Sequence, residues 1–261
     1  MKNKRSKNNI LCIVQARMSS SRLPGKVLKE VIDRPLLSYM IERIKPSKNL
    51  SKIVIATSWD LSDDPITNWC IENNIAGFRG SLNDVLDRFY QCAISQDPVL
   101  DTIIRLTADC PLHHYEVIDF AIDYFYVNDL DYFTNSFEPD YEDGFDVEVF
   151  KTDVLKEAWK NARKPSEREH VTLWIRNNPA FKKGFKKYRD EYKFKLSVDS
   201  LDDFILVEKI IEHFYKKDPL FTIDDVILLL KEHPEYLEIN KSSKIDEGLE
   251  LSLRNEIENL K

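Results

Sequence analysis

Three cations stand close together near the start of this chain. In IVQARMSSSRLPGKVL, positions 13–28, Arg17, Arg22 and Lys26 occur without one acidic side chain, although the whole chain has formal net charge -7. Guanidinium groups offer planar donor forks that match phosphate oxygens, and an ammonium adds a compact point charge. Ser19, Ser20 and Ser21 add hydroxyls, while Pro24-Gly25 forces a turn and Gly25 lets backbone approach a ligand closely. Together these residues describe a cradle for phosphate. It is neither of the two best-known cradles: G-x-x-x-x-G-K-[ST] is absent, and the six glycines form no G-x-G-x-x-G. On charge alone, a solvated basic loop is the competing reading.

Other residue types invite chemistry with less force. Asp109 in LTADCPL and Asp199 in LSVDS each end an apolar run, and each also reads as a turn or cap residue; Asp199-Ser200 can cap the helix that begins LDDFILVEK. His113 and His114 are adjacent, and neighbours on a helix point in different directions, so they make a poor pair of metal ligands. Asp129-Leu130-Asp131 fits a D-x-D pattern but falls at the start of a predicted strand, where no metal site is expected. The basic segment FKKGFKKYR alternates with period two and reads as a solvated edge strand.

The elements that must position these residues follow from hydrophobic spacing. Strands are predicted at 10–14, 52–57, 102–107 and 131–135, separated by helical patterns at 35–45, 64–74, 83–95 and 114–127. That alternation predicts an α/β fold whose mostly parallel sheet carries helices on both faces. Ligands then bind beyond the carboxyl ends of the strands, which is where the cationic loop emerges. After 135 the pattern loosens. An acidic loop at 138–146 leads to VEVF, helices near 152–162 and 166–176, two strands ending near Asp199, and helices at 201–215 and 222–231. We expect a frayed tail at 1–8, one domain over 9–240, and a tail or loosely docked helix at 241–261.

Composition narrows the class. With 261 residues, 43% hydrophobic and 32% charged, the chain buries a substantial core, and its acidity argues against general affinity for nucleic acid or anionic lipid. Cys12, Cys70, Cys92 and Cys110 form no C-x-x-C pair and read as reduced, buried thiols. No run approaches the roughly 18 apolar residues of a membrane span, so the expected location is the cytoplasm.

QARMSSSRLPGKVL resembles the signature loop of the CMP-sugar synthetases, A-R-x-x-S-x-R-L-P-x-K, and is most similar to the spore-coat-polysaccharide cytidylyltransferase-like branch. The resemblance continues through GSLNDVLDRF, LTADCPL, DGFDVEVF, SEREHVT and LSVDS, in that order, over roughly residues 10–230. It implies a three-layer α/β sandwich of the nucleotide-diphospho-sugar transferase type. It implies CTP as donor, a magnesium ion, and pyrophosphate release as an acceptor oxygen attacks the α-phosphate.

The resemblance also assigns roles. It puts Ala16, Arg17, Ser21, Arg22, Lys26, Gly80, Ser81, Arg88 and Asp109 at the nucleotide, with Arg17, Arg22, Lys26 and Asp109 as the catalytic group. Asp109 and Asp199 become the metal ligands, with Asp202 a bystander, and Glu148, Arg168 and His170 face the acceptor. Surface pairing remains the alternative for Arg88, and an ordinary structural role for His170. Acceptors in the family are acidic sugars such as 3-deoxy-manno-octulosonate and nonulosonic acids; a phosphorylated acceptor is the other class weighed. Related enzymes often pair as homodimers through their later segments, here 140–185. Two rival functions are a glycosyltransferase of similar fold that binds a nucleotide sugar, and a nucleotide-binding subunit without catalysis.

Overall fold

ILCIVQ has no polar side chain before its last residue, and it forms the central strand β1 (Ile10–Gln15), buried on both faces. Successive residues alternate sides, as the pleat requires. Cys12 and Val14 join one hydrophobic core while Leu11 and Ile13 join the other. The computed structural model describes residues 9–136, 143–189, 194–244 and 247–258.

From β1 the chain passes through the cationic loop, a 3-10 turn at Lys26–Leu28 and a small hairpin, β2 (Glu30–Val31) and β3 (Arg34–Pro35), into α1 (Leu36–Ile44). There follow β4 (Lys52–Ser58), α2 (Asp64–Glu72), β5 (Ala76–Gly80), α3 (Val85–Ile94), β6 (Thr102–Thr107) and α4 (Tyr115–Val127). The later half holds β7 (Tyr132–Thr134), β8 (Glu148–Lys151), α5 (Thr152–Asn161), α6 (Pro165–Glu169), α7 (Leu173–Asn177) and β9 (Lys183–Phe185). It ends in α8 (Leu201–Phe214), α9 (Ile223–Glu232) and α10 (Glu247–Glu258).

Among the described residues the main sheet runs β5-β4-β1-β6-β8-β7-β9. β5, β4, β1 and β6 are parallel, β8 is antiparallel to both β6 and β7, and β9 is parallel to β7. Helices α1, α4, α8 and α9 bury one face and α3 with α5 the other, which makes the three layers. The architecture is the expected three-layer α/β sandwich around a mostly parallel sheet.

The structure departs from expectation in three places. AGFRG forms strand β5 although two of its five residues are glycine; the polar anchor is Arg79, which donates to the Ser58 carbonyl at 2.8 Å and pairs with Asp64 at 2.7 Å. The helix expected over 166–176 is two short helices, broken where Val171 takes φ 48°. Where two strands were expected before Asp199, the described residues hold β9 and a single bridge between Lys195 and Asp143. The C-terminal stretch is helical at α10, which docks against α6 through Ser166 and Glu256 at 2.8 Å. The expectation of a frayed tail at 1–8, and most of the acidic loop at 138–146, lie outside the described residues.

Candidate active site

The cationic loop is fastened at both ends. Buried Asp63, at the turn after β4, accepts the Met18 amide at 2.7 Å, the Ser58 amide at 3.0 Å and the Ser58 hydroxyl. Gly25 takes φ 72° and donates to the Met18 carbonyl at 2.9 Å, closing the loop on itself. Only glycine holds that left-handed turn without strain. The 3-10 turn that follows carries Lys26 inward.

Lys26 is the centre of the arrangement. Its Nζ lies 2.8 Å from Asp109 Oδ2 and 2.9 Å from Asp199 Oδ1. Asp109 stands two residues past β6, and its carbonyl accepts the Val198 amide at 2.7 Å, which draws the distant LSVDS segment alongside. Arg22 adds a second cation, 2.9 Å from Asp199 Oδ1. Beyond Asp199, buried Lys195 donates to Asp199 Oδ2 at 3.0 Å, to Asp203 at 3.1 Å and to the Ser197 carbonyl at 2.9 Å. Asp109, Lys26, Asp199 and Lys195 therefore form a row of alternating charge.

The row decides its own protonation. Burial pushes the Asp109 carboxyl up, but the Lys26 charge and hydrogen bond outweigh it and hold the group below its ordinary value. Asp199 is lowered by the same contest, with Lys26 and Lys195 both against burial. Burial works to lower Lys26 and the two carboxylates raise it, with a net rise. All three stay charged at neutral pH.

The carboxylates of Asp109 and Asp199 converge within 2.9 Å of one point, now held by an ammonium. Magnesium takes hard oxygen donors and asks for only one or two from protein, the rest coming from phosphate and water. The donor set fits that ion.

A cavity of about 700 Å³ opens over this row. Arg17, Ser21, Arg22, Lys26, Asp109 and Asp199 line one side. On the other, Glu148 at the start of β8 pairs with Arg105 of β6 and accepts the Tyr132 and Thr172 hydroxyls, both at 2.5 Å. Burial raises the Glu148 carboxyl, yet Arg105 and Arg176 outweigh it and keep it lowered. His170 lines the same side, its Nε2 donating to Ser252 of α10 at 3.0 Å.

Not every expected residue meets the cavity. Arg168 forks onto Asp84 at 2.9 and 2.5 Å and donates to the Trp159 carbonyl at 2.8 Å, tying α6 to α3, and it does not line the cavity. Ala16 is buried, its amide bonded to the Ala56 carbonyl at 3.1 Å. Gly80, Ser81 and Arg88 form a group beside Arg17. Arg88 is fully buried against Gly80 and donates Nη1 to the Ser81 carbonyl at 3.0 Å, while Nε and Nη2 have no partner among the described residues. Burial, then the nearby Arg17 charge, lower Arg88 to about 10.

His113 and His114 precede α4 instead of riding on it. Their Nε2 atoms donate to the Asp146 and Leu220 carbonyls at 3.0 and 3.1 Å, and His114 caps the helix. Asp131 of the D-x-D pattern pairs with Lys151 at 2.7 Å, away from the cavity. Arg105, Lys195 and Asp63 were not read from the sequence. A lone Arg inside the apolar run TIIRLT was the available sign for Arg105; nothing in sequence marks Asp63 among its acidic neighbours.

A basic cradle, a pair of hard carboxylates and a doubly wound sheet define a nucleotide-handling transferase. The sequence model of the cytidylyltransferase family matches residues 11–244, and the chain belongs to that family of CTP-dependent nucleotidyltransferases. It is 37% identical over 239 residues to an uncharacterised protein of Methanocaldococcus jannaschii, covering 89% of this chain and 95% of that one. It is 32% identical over 237 residues to the spore coat polysaccharide biosynthesis protein SpsF of Bacillus subtilis, covering 87% and 96%. A solved cytidylyltransferase from Leptospira borgpetersenii superposes with TM-score 0.82 at 31% identity, over 91% of this chain and 99% of that one.

Proposed function

We propose that the chain transfers CMP from CTP to an acidic sugar or related small acceptor, with magnesium, releasing pyrophosphate in the making of a surface-polysaccharide or glycoconjugate precursor. The observation that carries this reading is the convergence of Arg22 and Lys26 with Asp109 and Asp199 on one point. Arg17, Arg22 and Lys26 hold the β- and γ-phosphates and stabilise the charge that the leaving pyrophosphate gains. Asp109 and Asp199 would hold the magnesium, which would supply positive charge to offset that of the phosphates. Gly80, Ser81 and Arg88 are assigned to the nucleoside on the resemblance; none of the three lines the cavity and Arg88 is fully buried, and its two unpartnered nitrogens support the assignment. The acceptor lies against Glu148 and His170, where Arg105 and Arg176 suit an acid group. Arg168 serves this side only by holding α6 in place. Four free, buried cysteines suit a reducing compartment, and we place the reaction in the cytoplasm.

Thermal shift with magnesium tests the donor: CTP stabilises the chain well above UTP or GTP, and equal responses to all three remove cytidine specificity. A larger response to a UDP-sugar would favour the glycosyltransferase reading. Pyrophosphate release from CTP across a panel of acid sugars and sugar phosphates identifies the acceptor. With that acceptor, Asp109→Asn loses about a hundredfold or more in turnover while keeping its fold; turnover like the parent's overturns the metal assignment.

A further inference from the structure

Arg22 is already occupied. Its Nη1 lies 2.6 Å from Glu247 Oε2 while Nη2 holds Asp199 at 2.9 Å, so both ends of the fork carry a carboxylate. Glu247 is the first residue of α10, and α10 lies beyond the stretch, 11–244, that matches the family. Glu247, Gly248, Leu249, Leu251 and Ser252 form one wall of the cavity. Further along, Ser252 donates to Glu169 at 2.7 Å and Glu256 accepts from Ser166.

The attachment is polar and light. Leu251, Leu253 and Ile257 remain 51%, 39% and 58% exposed, so little apolar surface holds the helix down. Ion pairs between half-exposed groups such as Arg22 and Glu247 shift an equilibrium only by a small factor. The helix also carries Glu247, Glu250, Glu256 and Glu258 against one Arg254. A net acidic helix thus walls a site lined with cations, where a polyphosphate would meet like charge.

We infer that Glu247 is a specificity-determining residue: it occupies Arg22 in the nucleotide-free chain and is exchanged for the terminal phosphates of the nucleotide, lifting α10 as a strap. The inference rests on the reading of Arg22 as a phosphate ligand. A nucleotide with terminal phosphates displaces Glu247; CMP, which has none, leaves the strap shut. When pyrophosphate departs, Glu247 returns to Arg22. By linkage, a ligand that competes with Glu247 must also loosen α10.

Calorimetric titration of CTP and CMP, with magnesium, into the full chain tests this. Glu247→Gln is expected to tighten CTP about fivefold at low salt, the size of one exposed ion pair. The gap narrows as salt rises, and CMP affinity stays as in the parent. Glu250→Gln makes the same charge change on the same helix, but its partner is Arg254; it shifts CTP less than about twofold, because it frees no group in the site. Amide exchange over 247–258 speeds up when CTP is added. Unchanged CTP affinity in Glu247→Gln, an equal gain for CMP, or slower exchange with CTP overturns the strap. A parent chain that binds no CTP overturns the proposed function as well, whereas CTP binding indifferent to Glu247 overturns the strap alone.

Discussion

Lys26 shows how a single side chain can serve stability and chemistry at once. Asp109 and Asp199 have their carboxyls lowered by it, so the stability they contribute is present above their ordinary value, about 3.9, and is lost as pH falls through the lowered values. Lys26 itself is raised, so its contribution is present below its ordinary value and is lost as pH climbs through the raised one. Lys26→Met leaves two carboxylates facing each other. We expect it to cost about 2 kcal/mol at neutral pH, below the figure for a fully buried broken pair because both aspartates keep some water. Without Lys26 the two carboxyls take up protons more readily in the fold, so the variant's deficit is largest near neutral pH and shrinks as pH falls, which denaturant titration across about pH 3 to pH 11 reads directly. Of this row, Lys26, Asp109 and Asp199 were legible, as was Arg22 beside it, because each stands in a recognisable motif. Lys195 was not, since in KFKLSVDS it reads as one more surface lysine until Ser197, Asp199 and Asp203 close around it.

At the scale of elements, the phosphate cradle depends on a turn that belongs to a different strand. Asp63 ties the Met18 amide to the end of β4. An asparagine there turns one acceptor oxygen into a donor that meets amide hydrogens. Asp63→Asn is expected to cost about 2 kcal/mol and to weaken CTP binding, since the loop loses its anchor; chemical denaturation and calorimetry read the two effects separately. Sequence spacing found the strands and helices that alternate over 10–127, because buried runs and amphipathic faces leave a periodic trace. It missed β5, where small residues and Arg79 replace the apolar run, and it merged α6 with α7, because Val171 gives no sign of its left-handed backbone.

The whole molecule is stitched by residues that no local pattern reveals. Arg43 of α1 is 1% exposed and donates to the carbonyls of Leu112, Pro219 and Phe221 at 3.1, 2.8 and 2.6 Å, with its guanidinium 3.8 Å from the Phe221 ring centroid. It joins the helix after β1 to the turn that carries Asp109 and to the stretch between α8 and α9. Arg43→Met keeps the bulk but leaves three buried acceptors without donors. We expect a loss of about 3 kcal/mol and a lowered melting temperature, with CTP affinity falling as the Asp109 turn loosens. Helical spacing in PLLSYMIERIK marks Arg43 as a helix residue and says nothing of carbonyls nearly 70 and 180 positions away.

One border of the main sheet has its own implication for how copies of this chain can meet. Among the described residues β9 is the last strand on its side, and Lys182 and Lys186, on either side of it, are exposed. Were a second molecule to continue the ladder there, its ammonium fringe would face the first one's, and mutual repulsion would split the seam. Pairing through 140–185 must then use the faces of α5, α6 and α7, so a dimer of this enzyme would be joined through helices while its sheets stay separate.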